Sequence, residues 1–244
     1  MRYLVLADIH SNLEALQAVL QHTSYDHVLL LGDLVGYGAD PDPTVEQVRR
    51  LDILAAVRGN HDKVVAGIEQ GETFTPRARK AALWSRTHIN AENLQYLREL
   101  PAGPVAVDSL VSIAHGSPID EDEYVVPFNA AGSALFKGFS TPICFFGHTH
   151  VPTVLYKIGS AVYPMQVERP TVMELASRST RYMINPGAVG QPRDGDPRAA
   201  FLVFDTDAFT VEFFRVNYNV ARAQEKIRQA GLPDYLAERL ARGT

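Results

Sequence analysis

The first 57 residues alternate short apolar runs with helical repeats, and that alternation restricts the chain to few folds. Arg2–Ala7, Val28–Leu31 and Ile53–Val57 are apolar runs of strand length. Between the first two, Leu13, Leu16 and Val19/Leu20 recur at helical spacing behind Ser11 and Glu14, which read as a capping box. Between the second and third, Val45, Val48 and Leu51 share one face behind Asp42-Pro43, which read as N-cap and first helical position. The order β-α-β-α-β implies a mainly parallel sheet with right-handed crossovers. Residues 62–103 then carry two helical stretches, "PRARKAALWSRTHI" and "NAENLQYLREL" capped by Asn90, with no strand between them. They read as a helical segment inserted into one domain spanning residues 1–244. Strands resume at Val105–Val107 and Leu110–Ala114 around an Asp108-Ser109 turn. Further strands are expected over 142–146, 153–157, 171–176, 181–184, 199–205 and 209–216, then helices over 219–230 and 233–241. With 46% hydrophobic residues in 244, there is ample material for one large α/β core.

Each of five strands runs into a polar cluster. The first meets Asp8-Ile9-His10, the second Gly32-Asp33 and the third Gly59-Asn60-His61-Asp62. Ile113-Ala114 meets His115-Gly116, and the run at 142–146 meets Gly147-His148-Thr149-His150. In α/β sheets ligands bind beyond the carboxyl ends of strands, so five such clusters point to one shared site. In an extended segment residues i and i+2 point the same way. Asp8 with His10, and His148 with His150, are therefore expected to reach one point as pairs.

With His61 and Asp62 set aside, the clustered side chains are two carboxylates, four imidazoles and one amide, with no sulfur among them. That donor set suits Mn, Fe, Zn, Ni or Co. Asp33 could bridge two ions and Asn60 could offer a neutral oxygen. Two ions roughly 3.5–4 Å apart would polarise a phosphoryl group and activate a bridging water. Two divalent ions balanced by Asp8, Asp33 and a hydroxide leave the site at about +1, on a chain of formal charge −5. An anionic substrate would be drawn to this spot and not to the surface at large.

The ordered motifs "DIH…GD…GNHD…H…GHTH" resemble the calcineurin-like metallophosphoesterase superfamily. "GDLVGYGADP", "VRGNHD", "GHTHVP" and "NPGAVGQPRDGDPRAAF" resemble its bacterial branch described as predicted phosphodiesterases. The resemblance spans residues 1–205. It implies a four-layer α/β sandwich, two mixed β-sheets packed face to face with helices outside, and a dinuclear site. Carried over by position, the first metal takes Asp8, His10, Asp33 and His150, and the second takes Asp33, Asn60, His115 and His148. His61 is the implied acid or transition-state donor, and manganese the first-choice ion.

One departure bears on substrate. Superfamily phosphatases acting on proteins carry "GDxxDRG" and "GNHE", whereas here Gly36 and Tyr37 stand at the second Asp and the Arg, and Asp62 replaces Glu. His61 thus lacks its usual orienting partner, and the monoester-binding arginine is gone. A phosphodiesterase acting by a metal-bridging hydroxide is the expected function, with a phosphomonoesterase or nucleotide phosphatase as the alternative. A non-catalytic metal-binding scaffold, as the retromer subunit of the superfamily is taken to be, fits less well because every ligand position is filled. Tyr37, Arg193 and Arg198 are candidate substrate-binding residues. The substrate is expected to be a small phosphorylated molecule. The net negative charge and the lack of a basic, aromatic-laced face argue against nucleic acid. One cysteine, Cys144, excludes an internal disulfide. With no leader-like segment or bilayer-length apolar run, a soluble cytoplasmic protein is expected.

Overall fold

β1 (Arg2–Leu6) divides its side chains between two cores, and this division organises the fold. Leu4 and Leu6 join Val28, Leu30, Phe201 and Val203 beneath a helical layer. Tyr3, Val5 and Ala7 face the other way, onto Val111, Ile113, Ile143, Phe145 and Ile184 of a second sheet. The alternation is the period-2 pattern of a strand buried on both faces. The computed structural model describes residues 1–125, 132–167 and 170–244.

The first sheet has β1 beside β2 (His27–Leu30) and β3 (Ile53–Ala56), all parallel. On its other side β1 pairs antiparallel with β11 (Ala199–Asp205), followed by β12 (Thr210–Val216) and β9 (Thr171–Glu174). The second sheet runs in the order β4 (Val105–Ala106), β5 (Val111–Ile113), β6 (Ile143–Phe145), β10 (Arg181–Asn185), β7 (Thr153–Ile158) and β8 (Ala161–Gln166). Both sheets are mixed and six-stranded. In the first sheet the parallel order expected from the N-terminal third holds for β1–β3 and stops there, because β11, β12 and β9 pair antiparallel. Helices cover both outer faces, which makes the α/β four-layer sandwich. On the second sheet's outer face Cys144 packs with Ala114, Phe146, Leu155 and Phe136, the last just past α6 (Gly132–Leu135).

Local details differ from the sequence reading in instructive ways. α1 (Leu13–Leu20) is capped by Asn12, whose side chain accepts from Ala15 N–H, so Ser11 and Glu14 form no capping box. α2 (Pro41–Arg49) starts two residues earlier than expected, with Asp40 as N-cap and Pro41 at N1. Asp42 instead binds the Asn90 N–H and the Asn93 side chain, which anchors α5 (Ala91–Glu99) onto α2. α3 (Asn60–Ala66) and β8 have no counterpart among the expected elements. α4 (Pro76–Thr87) and α5 lie where the inserted helices are expected. Ala82, Leu97, Val64 and Val65 share one cluster with Leu4 and Leu6, so these helices are part of the outer layer on the first sheet. α7 (Val220–Gln229) and α8 (Asp234–Leu240) close the chain. No described helix is long and apolar enough to cross a membrane.

Candidate metal centre

Five strands stop short of their polar clusters, and β1, β2 and β6 lead into left-handed backbone. Asp8, His10, Asp33, His148 and His150 have φ of 54°, 49°, 55°, 68° and 62°. Such values are uncommon for residues with a Cβ and cost free energy unless the surroundings hold them. The surroundings here are interlocked. Asp8 and His10 N–H donate to the Gly32 and Asp33 carbonyls, Gly190 N–H to the Asp8 carbonyl, and Gly147 N–H to the His115 carbonyl. The two sheets are joined at the site itself, where His148 N–H donates to the Asp8 carboxylate at 3.1 Å. The extended i, i+2 geometry expected for each pair is therefore absent.

The turns assemble two adjoining groups of buried ligand-type side chains: Asp8, His10, Asp33 and His150 in one, and Asp33, His115 and His148 in the other. His148 and His150 go to different groups, not to one point. Asp33 belongs to both. Its Oδ2 lies 3.5 Å from His10 Nε2 and 3.5 Å from His115 Nε2, while its Oδ1 accepts from His61 N–H at 2.8 Å. Asn60 Oδ1 is 3.3 Å from His115 Nε2, at the edge of the second group.

The imidazoles are oriented as metal ligands are. His10, His115 and His150 each place Nδ1 on a backbone carbonyl, of Val35 (3.0 Å), Leu31 (2.7 Å) and Gln191 (2.5 Å). In the neutral ring that bond makes Nδ1 the protonated nitrogen, and it turns Nε2 toward the cluster. His148 is reversed, with Nε2 on the Asp122 carbonyl at 3.1 Å. Burial alone would raise the Asp33 carboxyl, yet the His115, His61 and His10 rings hold it well below the usual carboxylate range. Burial opposes a charge on His115, but Asp33 overrides it and pushes the ring up to about 10. Burial pushes His148 down to about 3. Asp33, a water-excluded carboxylate, draws positive charge onto His115 and stands beside the neutral rings of His10, His148 and His150, an environment suited to divalent cations, which would displace the His115 proton.

The cluster floors a cleft of about 440 Å³, walled by Tyr37, His61, Phe74, Tyr124 and Arg193. The His61 ring is held between Tyr37 (centroids 4.3 Å) and Phe74 (4.5 Å). Its Nδ1 is buried with no hydrogen-bond partner among the described residues, and a Cβ at Gly36 would lie 2.3 Å from it. Glycine is required there by this approach and by its φ of 86°. Asp62, the last residue of "GNHD", accepts from Leu34 and Gly59 N–H and so ties the Asp33 turn to the start of α3.

Of the two loop arginines, Arg193 lines the cleft, its Nη2 3.4 Å from the Tyr37 hydroxyl. Arg198 does not line the cleft, because its guanidinium is taken by Asp196 at 2.6 Å. The "NPGAVGQP" loop folds against the site as expected, through the Gln191 carbonyl and through Asn185, whose amide donates to the Gly147 carbonyl. Phe74, Asp122 and Tyr124, which stacks on His148 at 3.9 Å, are site residues that the sequence does not flag. They stand in segments without motif or periodicity.

Comparison with known proteins agrees with this geometry. A family model for the calcineurin-like phosphoesterase superfamily domain matches residues 1–208. An uncharacterized protein of Methanocaldococcus jannaschii is 37% identical, over 98% of this chain and 97% of its own length. The crystal structure of a metallophosphoesterase from Sphaerobacter thermophilus is 45% identical and superposes with a TM-score of 0.86, covering 100% of this chain and 99% of that one. A hypothetical protein from Pyrococcus horikoshii, 18% identical, shares the fold with a TM-score of 0.77, covering 100% and 98%. A chain with this sandwich, this ordered ligand set and these relatives belongs to the calcineurin-like phosphoesterase superfamily.

Proposed function

We propose that the protein is a metal-dependent phosphodiesterase that works with two divalent ions, Mn²⁺ first among Mn, Fe, Zn, Ni and Co. The observation that carries this is Asp33, a member of both groups, whose Oδ2 is equidistant from His10 Nε2 of one and His115 Nε2 of the other. Asp8, His10, Asp33 and His150 would hold one ion, and Asp33, Asn60, His115 and His148 the other. Bound there, the ions would act as Lewis acids on the phosphoryl oxygens and make water a stronger nucleophile at neutral pH. The chain's own groups do the rest. Backbone hydrogen bonds fix the imidazole tautomers, so the nitrogen donors need no rearrangement on binding. His61, one residue past Asn60 on α3, presents its ring at the cleft wall and is the donor to the departing ester oxygen. Tyr37 and Phe74 hold that ring in place of the missing carboxylate.

A diester is favoured because the cleft does not end at the cluster. It continues into a second cavity of about 620 Å³ that shares Tyr37, Tyr124 and Arg193 with it, leaving room for a second ester arm. Arg193 supports a second reading. A guanidinium at the cleft wall could neutralise the extra charge of a monoester, the role for which Tyr37 is unsuited. Turnover of bis- and mono-p-nitrophenyl phosphate at saturating Mn²⁺ decides between them. We expect higher kcat/KM for the diester. A monoester preference that vanishes in Arg193→Ala would establish the second reading instead.

A further inference from the structure

The second cavity has a composition that the hydrolysis of a simple diester does not require. Among the described residues its wall includes Arg77, Arg193 and Arg239 and no aspartate or glutamate, in a chain with 28 acidic and 23 basic residues. The metal cleft differs, since Glu69 and Asp122 stand on its wall. The three arginines come from distant segments: Arg77 from α4, Arg193 from the loop after β10, and Arg239 from α8.

The guanidiniums are interleaved with phenol rings. Arg193 and Arg239 lie 5.8 and 5.9 Å from the Tyr37 centroid, and Arg239 and Arg77 lie 5.5 and 4.5 Å from that of Tyr235. Stacking fixes the planar forks while leaving N–H edges to meet an oxyanion in bidentate fashion. Among the described residues no side-chain carboxylate is paired with any of the three. Arg193 donates to Tyr37 and Gln191, and Arg239 Nε to a main-chain oxygen of Thr244. Burial first, and then the Arg193 charge, hold Arg239 below the ordinary guanidinium range. Like charges gathered on one half-buried wall repel, and an anionic ligand would relieve that repulsion.

We propose that this cavity binds a second phosphate carried on one ester arm of the substrate, so that the physiological diester is itself phosphorylated at a position remote from the scissile bond. The proposal rests on the phosphodiesterase reading above. Arg77 and Arg239 hold the remote phosphate, and Arg193, shared by both cavities, stands between it and the metal cluster. The remote charge acts in binding and orientation and takes no part in bond breaking.

Two chromogenic esters with the same leaving group test it: thymidine 5′-(p-nitrophenyl phosphate) and its 3′-phosphorylated form. With Mn²⁺-loaded enzyme we expect the phosphorylated ester to have kcat/KM roughly tenfold higher or more, mainly through KM. In Arg77→Gln, and again in Arg239→Gln, that ratio should fall to within about threefold. Calorimetry supplies a readout without turnover. Thymidine 3′,5′-bisphosphate should bind roughly tenfold tighter than thymidine 5′-monophosphate, with the difference shrinking at high salt. Equal constants for the two esters and the two nucleotides, or a preference that survives both substitutions, would overturn the proposal. If neither ester nor bis-p-nitrophenyl phosphate is turned over, the phosphodiesterase reading fails, and the calorimetric comparison still decides whether the cavity takes a phosphate.

Discussion

His61 is held by ring contacts and a backbone bond, with no carboxylate on Nδ1 among the described residues. Its N–H donates to Asp33, its ring packs between Tyr37 and Phe74, and Gly36 occupies the space above Nδ1. The absent carboxylate is legible in "GDLVGYG". The replacement is only half legible, because Phe74 sits in a stretch whose spacing carries no signal. The polar clusters at strand ends are likewise readable as residue types. Their conformation is not, since left-handed backbone at Asp8, His10, His148 and His150 is imposed by tertiary hydrogen bonds and not by local preference. Because the His61 side chain is not among the ligand groups, His61→Ala should keep both ions. Its rate should fall roughly 100-fold or more on alkyl esters and much less on nitrophenyl esters, whose leaving group needs no proton. Equal losses on both would assign His61 to charge stabilisation instead.

At the scale of elements, the strands and helices with strong periodicity are readable: β1 to β3, α1, α4, α5, and the C-terminal pair of helices. β8 is not, because Pro164 argues against a strand. It survives as the sheet edge, paired among the described residues with β7 alone, where a missing N–H is tolerated. α3 is hidden because "GNHD" alone reads as a turn. Yet α3 does more than place Asn60 and His61. Its Lys63 is buried, with Nζ 2.9 Å from Glu69, 3.2 Å from Glu121 and 2.5 Å from Asp122. Through Asp122, whose carbonyl receives His148 Nε2, this ion network is tied to the orientation of one imidazole of the second ligand-type group. Lys63→Met would leave three carboxylates together, with Arg58 on Glu121 alone. The expected cost is about 2–3 kcal/mol in chemical denaturation, below the buried-pair range because the carboxylates reach water. Metal analysis should show weaker occupancy of the second group, roughly 10–100-fold in affinity. Two ions retained at wild-type affinity would mean that the network is structural only.

For the molecule as a whole, the site is where the two sheets are fastened to each other. Asp8, Asp33 and Asn60 follow strands of the first sheet, and His115, His148 and His150 follow strands of the second. Direct links across the sandwich at this end include His148 N–H to the Asp8 carboxylate and His115 Nδ1 to the Leu31 carbonyl, beside buried Asp33. Two carboxylates out of water are costly without compensating charge, so cations bound between them should stabilise the fold as well as serve chemistry. An ion held at about 100 times its Kd contributes about 2.7 kcal/mol to the folded state. For a chain of this length each kcal/mol moves the midpoint by about 2–4 °C. Chelation that removes two such ions should therefore lower the melting temperature by about 10–20 °C, and Mn²⁺ should restore it. Asp33→Asn removes the group common to both ligand sets. In that variant the chelator-induced shift should fall below about 2 °C, with the rate on diesters down roughly 100-fold or more. Substitution of an exposed carboxylate such as Glu174 should leave the shift intact. A wild-type melting temperature indifferent to chelator, or an Asp33→Asn protein that keeps two ions and full activity, would show that Asp33 does not join the two groups through metal.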